Sequence, residues 1–207
     1  MLPDDVQIID LQEANSRTPE GLPWHAISDA TGKLYSYKLW IGDWKDPTER
    51  LYRLRVYEEC NIRKLELTMR LFERTHDFSS LCNSTREHRG TGKSLERTVR
   101  RAASVDEGEG RYRLDFEVNG ALYGMIRNVV GTILSVGCNR LNLDDIHRVI
   151  DARDRRKAPK SAPARGLFLE HVYYDAPSKT GSPIVLKTVD ARLHTDGPLH
   201  AVTLEQV

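Results

Sequence analysis

The 207-residue sequence contains only three cysteines and no long apolar run. Cys60, Cys82 and Cys138 lie far apart, so no pair has the C-x-x-C spacing of a zinc site, and their odd, sparse number favours a reducing compartment. No apolar stretch approaches the length needed to span a membrane, and the acidic residues 1–5 lack the charged-then-apolar order of a signal peptide. We therefore expect a cytoplasmic location and no membrane partner.

Motifs of several enzyme classes are also missing. The sequence has no H-E-x-x-H motif, no paired-cysteine metal set and no Ser-His-Asp order. Residues 90–94, Gly-Thr-Gly-Lys-Ser, resemble the end of a phosphate-binding loop, but that pattern requires a glycine where this sequence has Glu87. These absences argue against zinc-dependent chemistry and nucleotide hydrolysis.

The charge is nearly balanced overall but unevenly distributed. Hydrophobic residues make up 39% and charged residues 29%, with a net charge of +1, which is an ordinary globular composition. Two basic clusters stand out: Arg86, His88, Arg89, Lys93, Arg97, Arg100 and Arg101 form the first, and Arg153, Arg155, Arg156, Lys157, Lys160 and Arg165 form the second. Both are predicted in or beside loops, where cations can contact RNA phosphates, and the alternative is a solvated face with acidic neighbours. The first cluster is the better candidate because only Glu87 and Glu96 offset it.

Hydrophobic periodicity predicts six main elements in the order strand, helix, strand, helix, helix, strand. They are the strand Leu34–Trp40, the helix Glu58–Arg74, the strand Arg111–Val118, the helix Leu122–Val136, a helix capped by Asn142 that runs to Arg153, and the strand Gly166–Tyr174. Val6–Leu11 is a weaker strand prediction, and residues 85–94 are predicted as a loop. This mixture, without regular β-α-β alternation, indicates an α+β fold with an antiparallel sheet and helices packed on one face.

Arg127 is the residue whose surroundings are most informative. Gly120, Gly124, Arg127 and Gly131 recur at intervals of four, three and four, on a helix face that is otherwise nearly bare. Each glycine weakens a helix by about 1 kcal/mol relative to alanine, so close approach of another backbone or of a ligand should compensate. A guanidinium on such a face suits an anion or a carboxylate. The alternative is a helix crossing with Arg127 at its solvent edge.

Tyr35 and Tyr37 point to the same side of their predicted strand. Paired tyrosines can stack on bases, as in recognition of single-stranded RNA. A core or edge tyrosine pair is at least as common, so the pattern alone leaves both readings open.

Several ordered blocks resemble one family. His76–Leu81 reads H-D-F-S-S-L, Tyr123–Gly137 contains M-I-R-N-V-V-G, and Ala152–Arg155 with Ala162–Leu169 reads A-R-D-R and then A-P-A-R-G-L-F-L. These are similar to the H-D-F-S-S-F, M-V-R-N-I-V-G, and A-K-D-R with A-P-x-x-G-L-x-L motifs of TruA-type tRNA pseudouridine synthases. Upstream, Leu2–Val6 and residues 25–37 resemble the family's L-P-D-D-I and H-A-R-x-x-A-x-x-R-x-Y-x-Y blocks.

The resemblance implies a function and a site. Family members isomerise uridine to pseudouridine in the tRNA anticodon stem-loop, need no cofactor, and usually act as homodimers with a basic cleft. An aspartate attacks a flipped uridine, whose base detaches, rotates and rejoins through carbon. The active-site tyrosine corresponds to Tyr35, the arginine that pairs with the aspartate to Arg127, and the apolar residue against the uracil to Leu167. We expect Arg86, Arg89, Lys93, Arg97 and Arg155 to contact the substrate.

The family's nucleophile lies in a G-R-T-D-x-G-V-H-A segment that has no counterpart in these residues. Asp29, Asp77 and Asp115 are present but stand in no comparable motif.

We expect residues 1–28 to be a remnant of an N-terminal domain and its connection, residues 29–176 the C-terminal synthase domain, and residues 177–207 a tail or hairpin. Three hypotheses follow: a shortened synthase, a catalytically inactive tRNA- or RNA-binding domain, and one part of a split enzyme. In each case the isolated chain is expected to show no turnover.

Overall fold

The computed structural model describes residues 2–3, 5–8, 23–43, 46–83 and 94–174. Within them lie strands β1 (Gly32–Ile41), β2 (Leu54–Val56), β3 (Thr75–Asp77), β4 (Glu96–Gly108), β5 (Arg111–Val118) and β6 (Leu167–Tyr173), and helices α1 (Ile62–Leu71), α2 (Met125–Gly137) and α3 (Asp145–Asp151). Short 3₁₀ turns occupy Pro47–Leu51, Ser79–Leu81, Arg155–Lys157 and Ala164–Gly166.

The central strand of the sheet is β1. The strands follow the order β2-β1-β5-β4-β3, and β6 also pairs with β1. One edge of β1 pairs with β5 in antiparallel register, and the other pairs first with β6, up to Tyr37, and then in parallel with β2, from Leu39. The predicted antiparallel sheet is therefore confirmed, with one parallel pair at β1 and β2.

Alternation along the strands places one apolar face of the sheet against the helices. On β5, Leu114, Phe116 and Val118 are fully buried, and their β1 neighbours Tyr37 and Leu39 are fully buried beside them. These side chains join α1, α2 and α3 in one hydrophobic core. The α+β fold with helices on one face is thus as predicted, because period-two alternation fixes which side of each strand is buried.

The opposite face of the sheet carries charge. Arg113 and Asp115 alternate with the core residues of β5 and bind each other at 2.8 Å. Arg53, which is 7% exposed, binds Glu107 at 2.6 Å and Glu49 at 2.7 Å, and Glu107 also contacts Arg113 at 3.5 Å. Desolvation of such groups is tolerated because each cation has a carboxylate partner.

Strand β4 is the main element that the sequence did not predict. Its thirteen residues contain three arginines, Arg97, Arg100 and Arg101, which were assigned to the first basic cluster in or beside a loop. That assignment is wrong for Arg100 and Arg101, which lie within a strand paired with β5 on one side and β3 on the other, whereas Arg97 lies at the start of this strand. Only Val99 and Ala102 are buried on β4, so the apolar alternation was too weak to reveal it.

The helix ends differ from the prediction for identifiable reasons. Helix α1 begins after Asn61, whose side chain accepts a hydrogen bond from the Lys64 N–H at 3.0 Å. Helix α2 begins at Met125 because Gly124 is left-handed, with φ of 73°. Asn142 is not the cap of α3, which starts three residues later at Asp145.

The structure describes the remaining predicted segments only in part. Residues 6–8 are not in a strand, contrary to the weak prediction for Val6–Leu11, and residues 9–11 lie outside the described residues. The predicted loop at 85–94 falls outside them except for residue 94, and the predicted tail or hairpin at 177–207 lies wholly outside them. The division of the chain at residues 28 and 176 stays a prediction.

Candidate functional site

The first part of the site is the pair of tyrosines on β1. Tyr35 and Tyr37 lie on the core face of the sheet, as the alternation predicted. Tyr37 is fully buried, and its hydroxyl donates a hydrogen bond to the Pro163 carbonyl at 2.6 Å. Tyr35 is half-buried and packs at the edge of the core. Tyr37 is therefore a structural member of the pair, whereas Tyr35 keeps an accessible surface.

Both phenols are neutral at physiological pH. Burial raises the pKa of Tyr35 above its ordinary value. Burial also raises the pKa of Tyr37, although the nearby guanidinium groups of Arg127 and Arg165 act in the opposite direction. Because burial disfavours the charged phenolate, neither ring can serve as an anion at neutral pH.

Arg127 lies in the first turn of α2, half-buried, and faces the residues that follow α3. Its Nε donates a hydrogen bond to the Ala162 carbonyl at 2.7 Å, and its own carbonyl accepts one from the Ala162 N–H at 2.9 Å. In the described part of the chain no carboxylate pairs with Arg127. Its orientation is thus fixed through Nε, and no carboxylate of the residues that the structure describes neutralises the guanidinium.

The glycine face around Arg127 is only partly open. A Cβ on Gly131 would overlap the carbonyl oxygen of Lys160, so this glycine permits close approach of another backbone. Gly124 provides the left-handed turn before the helix, and Gly120 precedes it with only the Arg97 side chain nearby. Of the two explanations offered by the spacing, approach of a backbone is the correct one at Gly131.

Leu167 begins β6 and completes the site. It pairs with Tyr37, while Leu169 pairs with Tyr35, so these four side chains share one face of the sheet. Gly166 precedes it because a Cβ there would come within 2.8 Å of the Tyr37 ring. Tyr35, Tyr37, Arg127 and Leu167 are called the Tyr–Arg corner below.

Residues 155–166, called the 155–166 segment below, connect the corner to the helices. The Arg155 guanidinium donates to the carbonyls of Ala158 at 3.2 Å and Pro159 at 2.9 Å and to the Asn128 side-chain oxygen at 3.0 Å. Further bonds reach Asn83 and Ser161, and burial lowers the pKa of Arg155. The structure thus shows Arg155 holding protein groups, and contact with a substrate, as expected from the sequence, stays a prediction.

The motif blocks that are far apart in the sequence meet beneath this segment. The Asn128 amide donates to the Leu81 carbonyl at 3.0 Å, the Asp154 N–H donates to the Ser80 hydroxyl at 2.9 Å, and Arg153 binds Asp77 at 3.1 Å. The last contact commits Asp77 to an ion pair. These blocks therefore build the support on which the Tyr–Arg corner rests.

The other predicted substrate contacts are placed only in part. Arg97 is half-buried at the start of β4, where it donates to the carbonyls of Ser94 and Glu96 at 2.8 and 2.6 Å. Arg86, Arg89 and Lys93 lie outside the described residues. Arg165 was predicted only as a member of the second basic cluster, and nothing in the sequence indicated that its charge acts on the Tyr37 hydroxyl.

Two further findings concern metals and membranes. In the part of the chain that the structure describes, no three His, Cys, Asp or Glu side chains are grouped so that they could hold a metal ion. None of the helices among the same residues has the length and apolar character needed to cross a bilayer.

Comparison with known proteins identifies the class of domain and then the family. The family model described as tRNA pseudouridine synthase matches residues 69–175, which contain α2, the 155–166 segment and β6. The α+β fold described above is a pseudouridine synthase domain. The chain is 35% identical over 176 residues to tRNA pseudouridine synthase A 1 of Protochlamydia amoebophila, covering 84% of this chain and 65% of that protein.

Two other relatives show similar identity and coverage. The chain is 36% identical over 176 residues to tRNA pseudouridine synthase A of a Geobacillus species and 31% identical over 174 residues to that of Clostridium kluyveri. Each alignment covers 84% of this chain, and the two cover 66% and 67% of the relatives. The chain belongs to the tRNA pseudouridine synthase family, and it spans about two thirds of the length of these relatives.

Proposed function

We propose that the protein containing these residues isomerises uridine to pseudouridine in tRNA, in the region of the anticodon stem-loop. The observation that carries this proposal is the state of Arg127. Its guanidinium is held in place beside Tyr37 and the 155–166 segment, yet no carboxylate among the described residues pairs with it. We take its partner to be the family's aspartate nucleophile, supplied by residues outside this sequence, because a guanidinium pairs well with a carboxylate.

The reaction is an isomerisation that balances without a cofactor. The aspartate carboxylate attacks the flipped uridine, and the bond between base N1 and ribose C1′ breaks. The uracil rotates, C5 bonds to C1′, and the carboxylate is released. C5 loses its proton and N1 gains one, so no atom is oxidised or reduced.

Three members of the Tyr–Arg corner have a direct role in this reaction. Arg127 orients the carboxylate and keeps it ionised, because an opposite charge favours the anionic form. Tyr35 offers a neutral aromatic surface to the flipped base, and burial, which raises its pKa, keeps the ring uncharged. Leu167 supports the uracil from β6.

The partners follow from this function. The substrate is tRNA, the location is the cytoplasm, and the active form is a homodimer. Arg86, Arg89, Lys93 and Arg97 remain the proposed cations for the tRNA backbone, because phosphate contacts supply most of the affinity of such complexes. Sedimentation of the purified protein at several concentrations tests the dimer, which a single monomeric species would contradict.

Tritium release tests the reaction directly. A tRNA transcript carrying tritium at uridine C5 loses that tritium to water when the new carbon–carbon bond forms. The protein translated from the complete gene should release it, and Arg127→Ala should slow release by about a hundredfold to a thousandfold or more, since removing one partner of a buried ion pair costs about 3–5 kcal/mol. Arg63→Ala, an exposed arginine on α1, is the matched control and should retain full activity. No release by the complete protein with any tRNA would contradict the proposal.

A second candidate is binding of tRNA without isomerisation. It is favoured by the absence, from these 207 residues, of a segment resembling G-R-T-D. Purified 207-residue protein should then bind tRNA and release no tritium, and tritium release by this chain alone would eliminate the candidate. If activity appears only when a separate polypeptide supplies the aspartate domain, the enzyme is split.

A further inference from the structure

Three exposed cations of the 155–166 segment form no ion pair within the described fold. Lys157, Lys160 and Arg165 are exposed and make no ion pair with any described carboxylate. Their neighbours differ, since Arg153 binds Asp77 at 3.1 Å and Arg156 binds Asp154 at 2.8 Å. The three cations are called the basic strip below.

The backbone that carries the basic strip is fixed at several points. Arg155 bonds to the carbonyls of Ala158 and Pro159, and Lys160 packs closely on Gly131. Further along, the Ala162 carbonyl accepts from Arg127 and the Pro163 carbonyl accepts from Tyr37. Cations on such a support lose less backbone freedom on binding than cations on a free loop, which favours ordered contacts over diffuse attraction.

A large open cleft lies along the same segment. Its volume is about 670 Å³, and its walls are residues 157–163, residues 54–58 and the second half of α2. Four basic residues and one acidic residue contribute to the lining, and the acidic one, Glu58, is paired with Arg140 at 3.2 Å. The cleft is therefore a positively charged depression with space for a ligand segment.

The cleft and the Tyr–Arg corner share a wall. Ala162 and Pro163 line the cleft, and their carbonyls receive the hydrogen bonds of Arg127 and Tyr37. A polyanion whose nucleotide enters the corner can therefore continue along the basic strip. The charge of the cleft selects a ligand that carries repeated negative charges, and a phosphodiester backbone has this character.

We propose that Lys157, Lys160 and Arg165 bind phosphates of the RNA strand that flanks the target nucleotide, with Lys157 and Lys160 in the cleft and Arg165 further along the 155–166 segment. This inference rests on the proposed function, because it takes RNA as the ligand of the corner. In this proposal the basic strip determines the affinity and register of RNA binding, and the Tyr–Arg corner carries out the isomerisation.

The test is the salt dependence of binding to an unmodified tRNA transcript. Removing the strip with Lys157→Ala, Lys160→Ala and Arg165→Ala together should weaken binding by about tenfold or more near physiological salt and reduce the slope of log Kd against log salt by about two to three. At saturating tRNA the rate of tritium release should be unchanged, so KM rises and kcat does not.

Two control variants make the result decisive. Arg63→Ala, Arg70→Ala and Arg74→Ala remove three exposed cations from α1 and the residues just after it, away from the cleft lining, and should leave the slope unchanged. The conservative exchange Lys157→Arg, Lys160→Arg and Arg165→Lys should restore the wild-type slope. Circular dichroism of each variant confirms that it is folded.

The failure of this inference differs from failure of the proposed function. If the slope of log Kd against log salt is unchanged in the strip variant, or falls equally in the α1 control, the basic strip does not bind the RNA, even if tritium is released. A strip-dependent slope with no tritium release supports the strip and contradicts the isomerisation. Preferential binding of an acidic protein over tRNA, abolished by the same three substitutions, would overturn RNA as the occupant.

Discussion

At the scale of single residues, Arg127 and Arg155 show how much the sequence can say about an arginine. Both lie in motifs that resemble the family; Arg127 was predicted to pair with the nucleophilic aspartate and Arg155 to contact the substrate. Arg127 donates to one carbonyl and has no carboxylate partner among the described residues. The Arg155 guanidinium instead donates to several protein groups, which lie on Asn83, Asn128, Ala158, Pro159 and Ser161. Motif position could predict where each lies, but not which hydrogen bonds a folded chain gives it, because those partners come from distant segments.

Tyr37 gives a test of the hydrogen bond that fixes the corner. Tyr37→Phe removes the hydroxyl that donates to the Pro163 carbonyl at 2.6 Å and keeps the buried ring. We expect the free energy of unfolding at pH 7 to fall by about 1 kcal/mol, the usual net value of such a bond. Urea denaturation measures the change, and an unchanged midpoint would show that the hydroxyl contributes nothing.

The same variant has a defined pH dependence. The pKa of Tyr37 is raised in the fold, so the folded state keeps its proton where the unfolded chain, with a pKa near 10, loses it. The stabilisation is complete below pH 10 and decreases as the pH rises above 10. Wild-type stability should therefore fall more steeply than that of Tyr37→Phe between pH 10 and 11.5, and parallel curves would contradict this assignment.

At the scale of elements, predictability followed the strength of the apolar pattern. Strand β5 was predicted with its observed ends because Leu114, Phe116 and Val118 alternate strictly. Strand β4 was missed because charged side chains occupy its exposed face and few apolar residues mark the other. The start of α2 was predicted three residues early, since the left-handed conformation of Gly124 cannot be read from hydrophobic spacing.

Gly131 tests the contact between α2 and the 155–166 segment. Alanine ordinarily stabilises a helix by about 1 kcal/mol relative to glycine, but at position 131 its Cβ would overlap the Lys160 carbonyl oxygen. We expect Gly131→Ala to destabilise the protein by about 1–3 kcal/mol, as overpacking of a close contact does, and to weaken tRNA binding by displacing the segment.

Gly120 supplies the matched control. A Cβ there meets only the Arg97 side chain, at 3.6 Å, so Gly120→Ala should be neutral or stabilising by about 0.4–1 kcal/mol. Thermal and urea unfolding compare the two variants. Equal stability of Gly131→Ala and Gly120→Ala would show that the segment yields to the added methyl group.

At the scale of the whole molecule, the sheet separates two chemical environments. The helix side holds the apolar core, with the Tyr–Arg corner at the junction of β1 and β6. The other side holds the charged network of Arg53, Glu107, Arg113 and Asp115, in which the hydrogen bond to Asp115 raises the pKa of Arg113. The fold class was predictable because local alternation determines it. The network was not, since its members come from three separate stretches.

Removal of Arg53 tests whether these two environments are independent. Arg53→Met takes away a guanidinium that is 7% exposed and leaves the carboxylates of Glu49 and Glu107 without it, so we expect a loss of about 3 kcal/mol in the free energy of unfolding. Adding Glu107→Gln should recover part of that loss, because the two substitutions act on one ion pair. Well below the melting temperature the affinity for tRNA should be unchanged, since the network faces away from the corner. Arg148→Met, which removes an exposed ion pair with Asp145, is the control and should alter neither the stability nor the tRNA affinity. If fully folded Arg53→Met protein binds tRNA more weakly than the wild type, the two faces of the sheet are coupled.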